Sequence, residues 1–567
     1  MSISTSVAAP RAPRPDDELV FLPLGGSGEI GMNLNLYGFG PARHREWILV
    51  DLGVTFGDDR TPGVDVIMPD PSFIVEHKDS LLGIVLTHAH EDHIGAVAHI
   101  WPRLRCPVYA TPFTAAMVRG KLIEAGIESQ VPMHIIPLGH RFALGPFDIE
   151  LVTLTHSILE PNALAIRTPL GLVMHTGDWK IDPDPVVGDD MDIARLTEIG
   201  DEGVRAIVCD STNVFSPGTS GSEADVASSL IELIKSCEGR VAVTTFASNV
   251  ARLESIARAA EACDRHAVLV GRSMHRVVAA ARECGYLSGL APFVSEHDAA
   301  YLPREKVLFI CTGSQGEPRA ALARIAEDGH PHIVLERGDT VVFSSRIIPG
   351  NETSIFDLQN LLAERGVRVV TEKDHFVHVS GHPCRDELAR MYQWIRPQIS
   401  VPVHGEARHL AEHAVLAREL QVPEQVVIRN GLMVRLAPGP AEIIDEAPSG
   451  RIYLDGDVLT ESDEGAVQER RKLAFAGSVF VSIVLDGKGE VRGDPQVRLM
   501  GLPEEDGNGV SFEDRALDAV DDALDRLPKK RRGDDDAVAE FLRRAVRGDL
   551  RRYWGKKAQV AVVVTRI

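Results

Sequence analysis

Residues 81–99 read LLGIVLTHAHEDHIGAVAH. Ile84-Val85-Leu86 is apolar and partly β-branched, so it reads as a buried strand. Gly95-Ala96-Val97-Ala98 opens a helical pattern. Between them lie Thr87, His88, Ala89, His90, Glu91, Asp92 and His93, which puts three imidazoles and two carboxylates on one strand-to-helix loop. Alternate residues of an extended segment point the same way, so His88 and His90 can reach a single ion. Asp92 and His93 fall past the bend and can serve a second. Imidazole suits zinc, and carboxylate oxygen completes or bridges such sites. The competing reading is a polar loop whose histidines cap a helix. Crowding four ligand-type side chains into six residues without a metal argues against it.

Composition bounds the rest. At 567 residues the chain is too long for one ordinary core, and two to four domains are expected. Apolar content is 44% and charged content 25%, as in soluble globular proteins, and no apolar run is long enough to span a membrane. Residues 1–18 are Pro/Ala/Arg-rich without the apolar core of a secretory signal, and read as a disordered arm. Seven cysteines are scattered and lack C-x-x-C pairing, which points to a reducing cytoplasm and away from a disulfide framework. Cys209, Cys311 and Cys384 read as small buried hydrophobes. Lysine and arginine number 60 against 82 aspartates and glutamates, a net charge of −22. That argues against indiscriminate nucleic-acid binding, but not against an enzyme that threads a strand past a local cationic site.

Outward from the central loop, the same grammar recurs. Asp51 ends the strand 47–50 just before the histidine cluster and is a candidate to orient it. His156 follows the strand 147–154, and Asp178 follows the strand 171–175. Asp210 follows the strand 205–208, and His404 the run 400–403. Upstream, Gly26, Gly28 and Gly31 fit G-x-G-x-x-G, but the residues after them alternate like a strand. A tight hairpin loop is therefore expected rather than a dinucleotide site. Residues 214–370 alternate strands and helices, which suggests βαβ units and a parallel sheet. Two polar loops follow strands there: CTGSQGEP at 311–318 and SSRIIPGNE at 344–352. A third, HVSGH at 378–382, precedes the helix 385–395. Beyond about residue 440 a polar linker leads to strands at 479–485 and 497–502, an acidic amphipathic helix at 511–527 and a last strand at 560–564. Residues 529–557 hold 11 lysines and arginines against 5 acidic residues: a solvated helix face, or a surface for RNA or a second subunit.

Taken together, Asp51, the 88–93 cluster, His156, Asp178, Asp210, HVSGH and PVHGE at 402–406 resemble the β-CASP branch of the metallo-β-lactamase superfamily. The loops LGGSGEIGMN, CTGSQGEP and SSRIIPGNE make the chain similar to bacterial ribonuclease J within that branch. One stretch departs from the pattern: after His156-Ser157-Ile158 the chain reads Leu-Glu-Pro-Asn where Pro-Asp-Ser/Asn is expected. The resemblance implies an α/β fold: an αββα sandwich with an inserted α/β β-CASP domain and a small α+β C-terminal domain. The expected divisions are an arm at 1–18, the sandwich at 19–211 and 371–440, the insertion at 212–370, a linker at 441–460 and the last domain at 461–567.

It also implies two zinc ions, with manganese or magnesium as alternative activators. His88, His90 and His156 would hold one; Asp92, His93 and His404 the other; Asp178 would bridge. Asp92, Asp178 and His382 would carry the chemistry, with His382 protonating the leaving 3′ oxygen. His378, Ser380 and Gly381 would contact the scissile phosphate, and Ser314, Ser345 and Arg346, with Gly316 and Ser344, a 5′-monophosphate. Asp51 and Asp210 would orient these groups. The implied activity is 5′→3′ exonuclease and endonuclease cleavage of single-stranded RNA in rRNA maturation and mRNA decay. The enzyme would be cytoplasmic, off the membrane, a homodimer or homotetramer, and open to partners in an RNA-degradation complex. Rival readings are a DNA-directed β-CASP nuclease, a small-molecule hydrolase of the same fold, and a non-catalytic scaffold.

Overall fold

The computed structural model describes residues 12–461 and 465–567. Residues 1–11 of the expected arm, and 462–464, lie outside the described residues. The chain divides into two compact units: one of residues up to Thr55 plus Met68–Arg451, the other of Phe56–Ile67 plus Ile452–Ile567.

The first unit is built on two sheets. One has eight strands in the spatial order 442–446, 432–437, 18–25, 34–40, 46–50, 81–85, 108–110, 133–135. The other has seven: 141–144, 147–153, 162–168, 171–175, 204–210, 399–403, 424–425. Their strands alternate so that one set of side chains meets between the sheets. Phe21, Tyr37, Ile48, Val50 and Val85 from the first pack with Ile149, Leu164, Val173, Val208 and Val401 from the second. The outer face of the second sheet is covered by helices Ile193–Glu202, Arg385–Ile395 and Ala407–Glu419, through Leu196, Ile199, Leu388, Met391, Leu416 and their neighbours. Pro112–Glu124 packs on the first sheet. This is the expected αββα sandwich.

Strands Glu46–Val50 and Leu81–Val85 are parallel, as are Gly171–His175, Val204–Asp210 and Ile399–Val403. Phe147–Thr153 runs in the same direction as Gly171–His175, since both are antiparallel to the strand between them. Each ligand-type residue thus leaves the C-terminal end of a strand, the edge where open α/β sheets place their sites. The helix expected from Gly95 starts at Val97, and a separate helical turn, Glu91–Ile94, precedes it, so Asp92 and His93 ride on that turn, whose N–H groups at His93 and Ile94 bond the His90 carbonyl. The glycine loop at 25–31 is no dinucleotide site. Ser27–Gly28 pairs with Gly405–Glu406, and the Gly26 carbonyl accepts the His404 N–H at 2.6 Å.

The inserted segment forms its own five-stranded sheet, 266–270, 307–311, 241–244, 340–343, 368–370, parallel throughout as the strand–helix alternation predicted. In the second unit, strands Gln496–Met500, Ser478–Leu485 and Gln559–Arg566 form a sheet against helices Phe512–Arg526 and Asp535–Trp554.

The stretch 441–460 is not the linker expected. Glu442–Glu446 is the edge strand of the eight-stranded sheet, while Arg451–Asp455 and Val458–Glu461 form a hairpin. Prolines and glycines at 438–440 and 448–450 disguised these short strands. Nor did composition mark Phe56–Ile67 as belonging with the C-terminal unit.

Candidate metal centre

Two tetrads of ligand-type atoms meet at one carboxylate. His88, His90, His156 and Asp178 form the first, and Asp92, His93, His404 and Asp178 the second, each set lying within 4.8 Å. In the first, His90 Nδ1 is 3.1 Å from His88 Nε2 and 3.0 Å from His156 Nε2. Around a tetrahedral zinc with bonds of about 2.0–2.1 Å, neighbouring nitrogens stand roughly 3.3 Å apart. In the second, Asp92 Oδ2 is 3.6 Å from both His93 Nε2 and His404 Nε2. Asp178 Oδ2 is 3.2 Å from His93 Nε2, 3.4 Å from His404 Nε2, 3.9 Å from His88 Nε2 and 4.0 Å from His156 Nε2.

The far sides of four of the five rings, His88, His93, His156 and His404, are tied down, while His90 faces the cluster through Nδ1. His93 Nδ1 donates to Asp51 Oδ2 at 2.7 Å. Asp51 also accepts the Thr87 N–H and hydroxyl, both at 2.8 Å, and the Thr87 hydroxyl oxygen stands 3.0 Å from His88 Nδ1. His156 Nδ1 donates to the Gly381 carbonyl. His404 Nδ1 lies 3.3 Å from Asn33 Oδ1, while Asn33 Nδ2 donates to the Asp92 carbonyl at 3.0 Å. Such partners fix tautomer and ring orientation, leaving Nε2 to face an ion. Asp51 and His404 both sit in left-handed backbone, φ 62° and 52°, strain of the kind stored at functional sites. A Cβ on Gly53 would lie 1.6 Å from the Asp92 carbonyl oxygen, so only glycine allows that approach.

The donor set fits metal. Asp178 Oδ1 and His404 Nε2 are buried without a hydrogen-bond partner in a protein-only environment, an expensive state that an ion would relieve. Burial and neighbouring imidazoles hold His88 and His156 well below the ordinary histidine range, and burial takes His90 down to about 4. These rings are therefore neutral, as ligands must be. Burial acts the same way on His93, but Asp178, Asp92 and Asp51 outweigh it and hold it well above. Burial would raise Asp178, yet His404 and His93 pull it well below the usual carboxylate range.

His382 stands at the edge of this cluster. Its Nδ1 bonds Asp210 Oδ2 at 2.8 Å and lies 3.9 Å from Asp178 Oδ2. Burial lowers the imidazole, but Asp210 more than offsets it and holds it up at about 9. Thr212 fixes Asp210 in turn through its N–H (2.8 Å) and hydroxyl (2.7 Å). Asn213 Nδ2 donates to Ser380 Oγ (2.7 Å) and the His382 carbonyl (3.1 Å), and its Oδ1 accepts from Arg346 at 3.4 Å. One side chain therefore joins HVSGH to the Arg346 loop. A Cβ at Gly381 would fall 2.6 Å from Ser157 Oγ and 2.9 Å from His156 Cε1, so a larger residue would press on the His156 ring. Burial, then Arg252, Arg346 and Lys180, hold His378 down at about 3, and its Nδ1 is buried without a partner.

The loops 311–318 and 344–352 lie side by side, stitched by Gln315, which donates to the Arg346 carbonyl (2.8 Å) and accepts the Ile348 N–H (2.9 Å). Ser314 and Ser345 are buried in them and Arg346 is exposed. Two expected phosphate contacts are otherwise employed. The Ser344 hydroxyl donates to the Val377 carbonyl (2.7 Å) and accepts from buried Arg252. The Gly316 N–H closes a turn onto Gly313 (3.2 Å). Sequence reading missed Asn33, Thr87 and Asn213. The signal available was a polar side chain directly beside a ligand or loop already chosen.

Four family models match in order: the β-lactamase superfamily domain at 46–197, the ribonuclease J β-CASP domain at 238–362, the Zn-dependent metallo-hydrolase RNA specificity domain at 366–428 and the ribonuclease J C-terminal domain at 465–567. Ribonuclease J of Sinorhizobium meliloti is 53% identical over 552 residues, 97% of this chain and 98% of that one. The chain belongs to the ribonuclease J family. The ribonuclease J of Corynebacterium glutamicum is 35% identical, covering 98% of this chain and 77% of that one. That of Thermus thermophilus is 36% identical, covering 82% of each. The metallo-β-lactamase domain, its β-CASP insertion and the C-terminal domain are thereby identified. All seven cysteines are free, and no described helix is long and apolar enough to cross a membrane.

Proposed function

We propose that the chain is a zinc-dependent ribonuclease that degrades single-stranded RNA 5′→3′ from monophosphorylated ends and also cuts internally. The observation that carries this reading is Asp178 Oδ2, set 3.2–4.0 Å from one nitrogen each of four histidines in two tetrads. His88, His90 and His156 would hold one ion, Asp92, His93 and His404 the other, and Asp178 would touch both. Two bound ions would supply the water activation and positive charge that phosphodiester hydrolysis needs. The remaining work falls to the chain's own groups. His382, with Nδ1 committed to Asp210, would use Nε2 to give a proton to the leaving 3′ oxygen. Ser380 Oγ already accepts from Asn213 Nδ2 and the His382 N–H (3.2 Å), so its hydroxyl proton is free for a phosphate oxygen. His378, kept neutral, can donate from Nδ1 to the same group.

The end-group pocket is proposed at Ser314, Ser345 and Arg346, where hydroxyls and one guanidinium suit a compact dianion. A triphosphate is bulkier and should be rejected. Free cysteines agree with a cytoplasmic setting. The test follows product length over time on RNA labelled at either end, carrying a 5′ monophosphate or triphosphate, beside matched DNA. Progressive shortening of the monophosphate RNA alone is expected. Equal exonucleolytic rates on both 5′ ends would overturn the pocket, and preferred cleavage of DNA would overturn the substrate. Arg346→Ala should raise KM for monophosphorylated RNA about tenfold, a charge-assisted hydrogen bond's worth, with kcat little changed.

A further inference from the structure

Glu160 lies in the loop after His156, where the sequence reads Leu159-Glu160-Pro161-Asn162. It is 6% exposed, sits in left-handed backbone (φ 54°), and has no part in the chemistry above. Its carboxylate nevertheless joins the two domains. Oε2 accepts the Phe113 N–H at 2.7 Å, in the first turn of the 13-residue helix Pro112–Glu124. Oε1 accepts the Tyr286 hydroxyl at 3.1 Å. Tyr286 belongs to the β-CASP domain. It follows helix Arg272–Glu283, and its N–H returns to the Ala281 carbonyl (2.9 Å) across Gly285, so the end of that helix fixes it.

The other end of this connection is the metal centre. His156 is in the same loop, bonded to the Gly381 carbonyl. Asn162 donates its N–H to the Thr87 carbonyl (3.2 Å), beside His88, and its side-chain amide to the Glu160 carbonyl (2.6 Å). A buried carboxylate at a helix N-terminus makes charge-assisted bonds in a low-dielectric setting, where they are strong and geometrically exacting. Burial and the Glu160 charge raise the Tyr286 phenol, which therefore stays a donor. Beside this contact lies a cavity of about 30 Å³, lined from one domain by His156, Ile158 and Val187 and from the other by Glu223, Ala251 and Tyr286. The seam is thus not closed by packing alone. The outer ion pairs across it, Arg119–Glu283 and Arg276–Glu124, are solvent-facing and contribute little.

We propose that Glu160 is a positioning residue. Through Tyr286 it holds the β-CASP domain, with its phosphate-binding loops, in register with the metal ligands. The proposal rests on the nuclease reading above. An RNA strand must touch both domains at once, so it feels that register. A small diester that meets only the metal centre does not.

The test uses the full-length, metal-loaded protein. Y286F deletes one hydroxyl and leaves the Phe113 bond intact. It should raise KM for 5′-monophosphorylated RNA about 5–10-fold, with kcat within about twofold, the loss expected for one net intramolecular hydrogen bond. Metal content and hydrolysis of bis(p-nitrophenyl) phosphate should be unchanged. E160A should act more strongly in the same direction, and adding Y286F to it should cost nothing further. E160Q should recover most of the loss, because its amide can accept from Phe113 and donate to the tyrosine oxygen. Equal losses on RNA and the small diester, additive effects, or an E160Q as damaged as E160A would overturn the proposal. If E160A fails to fold, Y286F alone decides. Wild-type protein that leaves RNA intact while hydrolysing the small diester would overturn the nuclease reading and this proposal together. A Y286F indistinguishable from a wild type that cleaves RNA would overturn this proposal alone.

Discussion

At the scale of single residues, Asp178 and His382 make separable demands. Asp178 Oδ2 faces both tetrads, so Asp178→Ala should reduce RNA hydrolysis to background and bring bound metal from about two ions per chain to one or fewer. Near-wild-type turnover with metal halved would sink the shared-ligand assignment. His382 belongs to a third cluster with Asp178, Asp210 and His404, so geometry alone would let it be a ligand. Its Nδ1, however, is spent on Asp210 at 2.8 Å. His382→Ala should therefore keep its metal and lose about 10²–10⁴-fold in turnover, the usual worth of a positioned acid. Metal loss in that variant would move His382 into the ligand set. The ligand-type residues were legible because each stands next to an apolar strand, a local pattern. Asn33 and Asn213 were not, because what recommends them is proximity across the fold: Asn33 stands 371 residues from His404, and Asn213 169 from His382.

At the scale of elements, the catalytic edge depends on a buried polar joint behind it. His413, on helix Ala407–Glu419, bonds Ser211 Oγ through Nδ1 (2.8 Å) and the Tyr392 hydroxyl through Nε2 (3.0 Å), and Tyr392 reaches Ser400 Oγ (2.6 Å). Two helices are thereby locked to Ser211, next to Asp210, and to Ser400, at the start of the strand that leads into His404. Burial lowers His413 to about 4, so the folded state binds its proton more weakly than the unfolded chain does. The stability it contributes is present above about pH 6.5 and is lost as pH falls through 4, roughly 3 kcal/mol in all. Urea unfolding at pH 7.5 and 5 should show His413→Gln weaker at the higher pH but less sensitive to acid than the wild type. Parallel pH slopes in the two proteins would refute the assignment. Elements with strong periodicity, such as Val250–Ala262 and Arg385–Ile395, were readable from sequence. Short strands between prolines and glycines, such as Glu442–Glu446, were not, because their pairing partners and not their composition make them strands.

At the scale of the whole molecule, the question is what the last 116 residues do, from Ile452 to Ile567. Their three-stranded sheet buries Val479, Val481, Ile483 and Leu485 under two helices, while alternation turns Phe480, Met500 and Val563 outward, 47%, 63% and 59% exposed. These apolar residues stand among the exposed Ser482, Gln496, Arg498 and Thr565, a mixed face of the kind that suits association with a second copy. The basic stretch 529–557 is partly neutralised within the chain, with Arg543 and Arg544 paired to Glu540 and Arg532 to Glu490, which weakens the case for an open RNA surface. Ending the chain at residue 451 should therefore lower the subunit count in solution while sparing metal content and hydrolysis of a small diester. The truncation has a complication that the sequence concealed. Phe56–Ile67 belongs to the second unit, and strand Val66–Pro69 pairs within the sheet that contains Arg451–Asp455 and Val458–Glu461. Cutting at 451 strips that segment of partners and leaves an open edge, which invites aggregation. A companion variant with 56–67 replaced by a short Gly/Ser linker should restore solubility, so that light scattering reads assembly and not collapse. If this soluble truncation keeps the full subunit count, the domain does not assemble the enzyme. A steep salt dependence of RNA affinity, lost with the same truncation, would then assign 529–557 to the RNA.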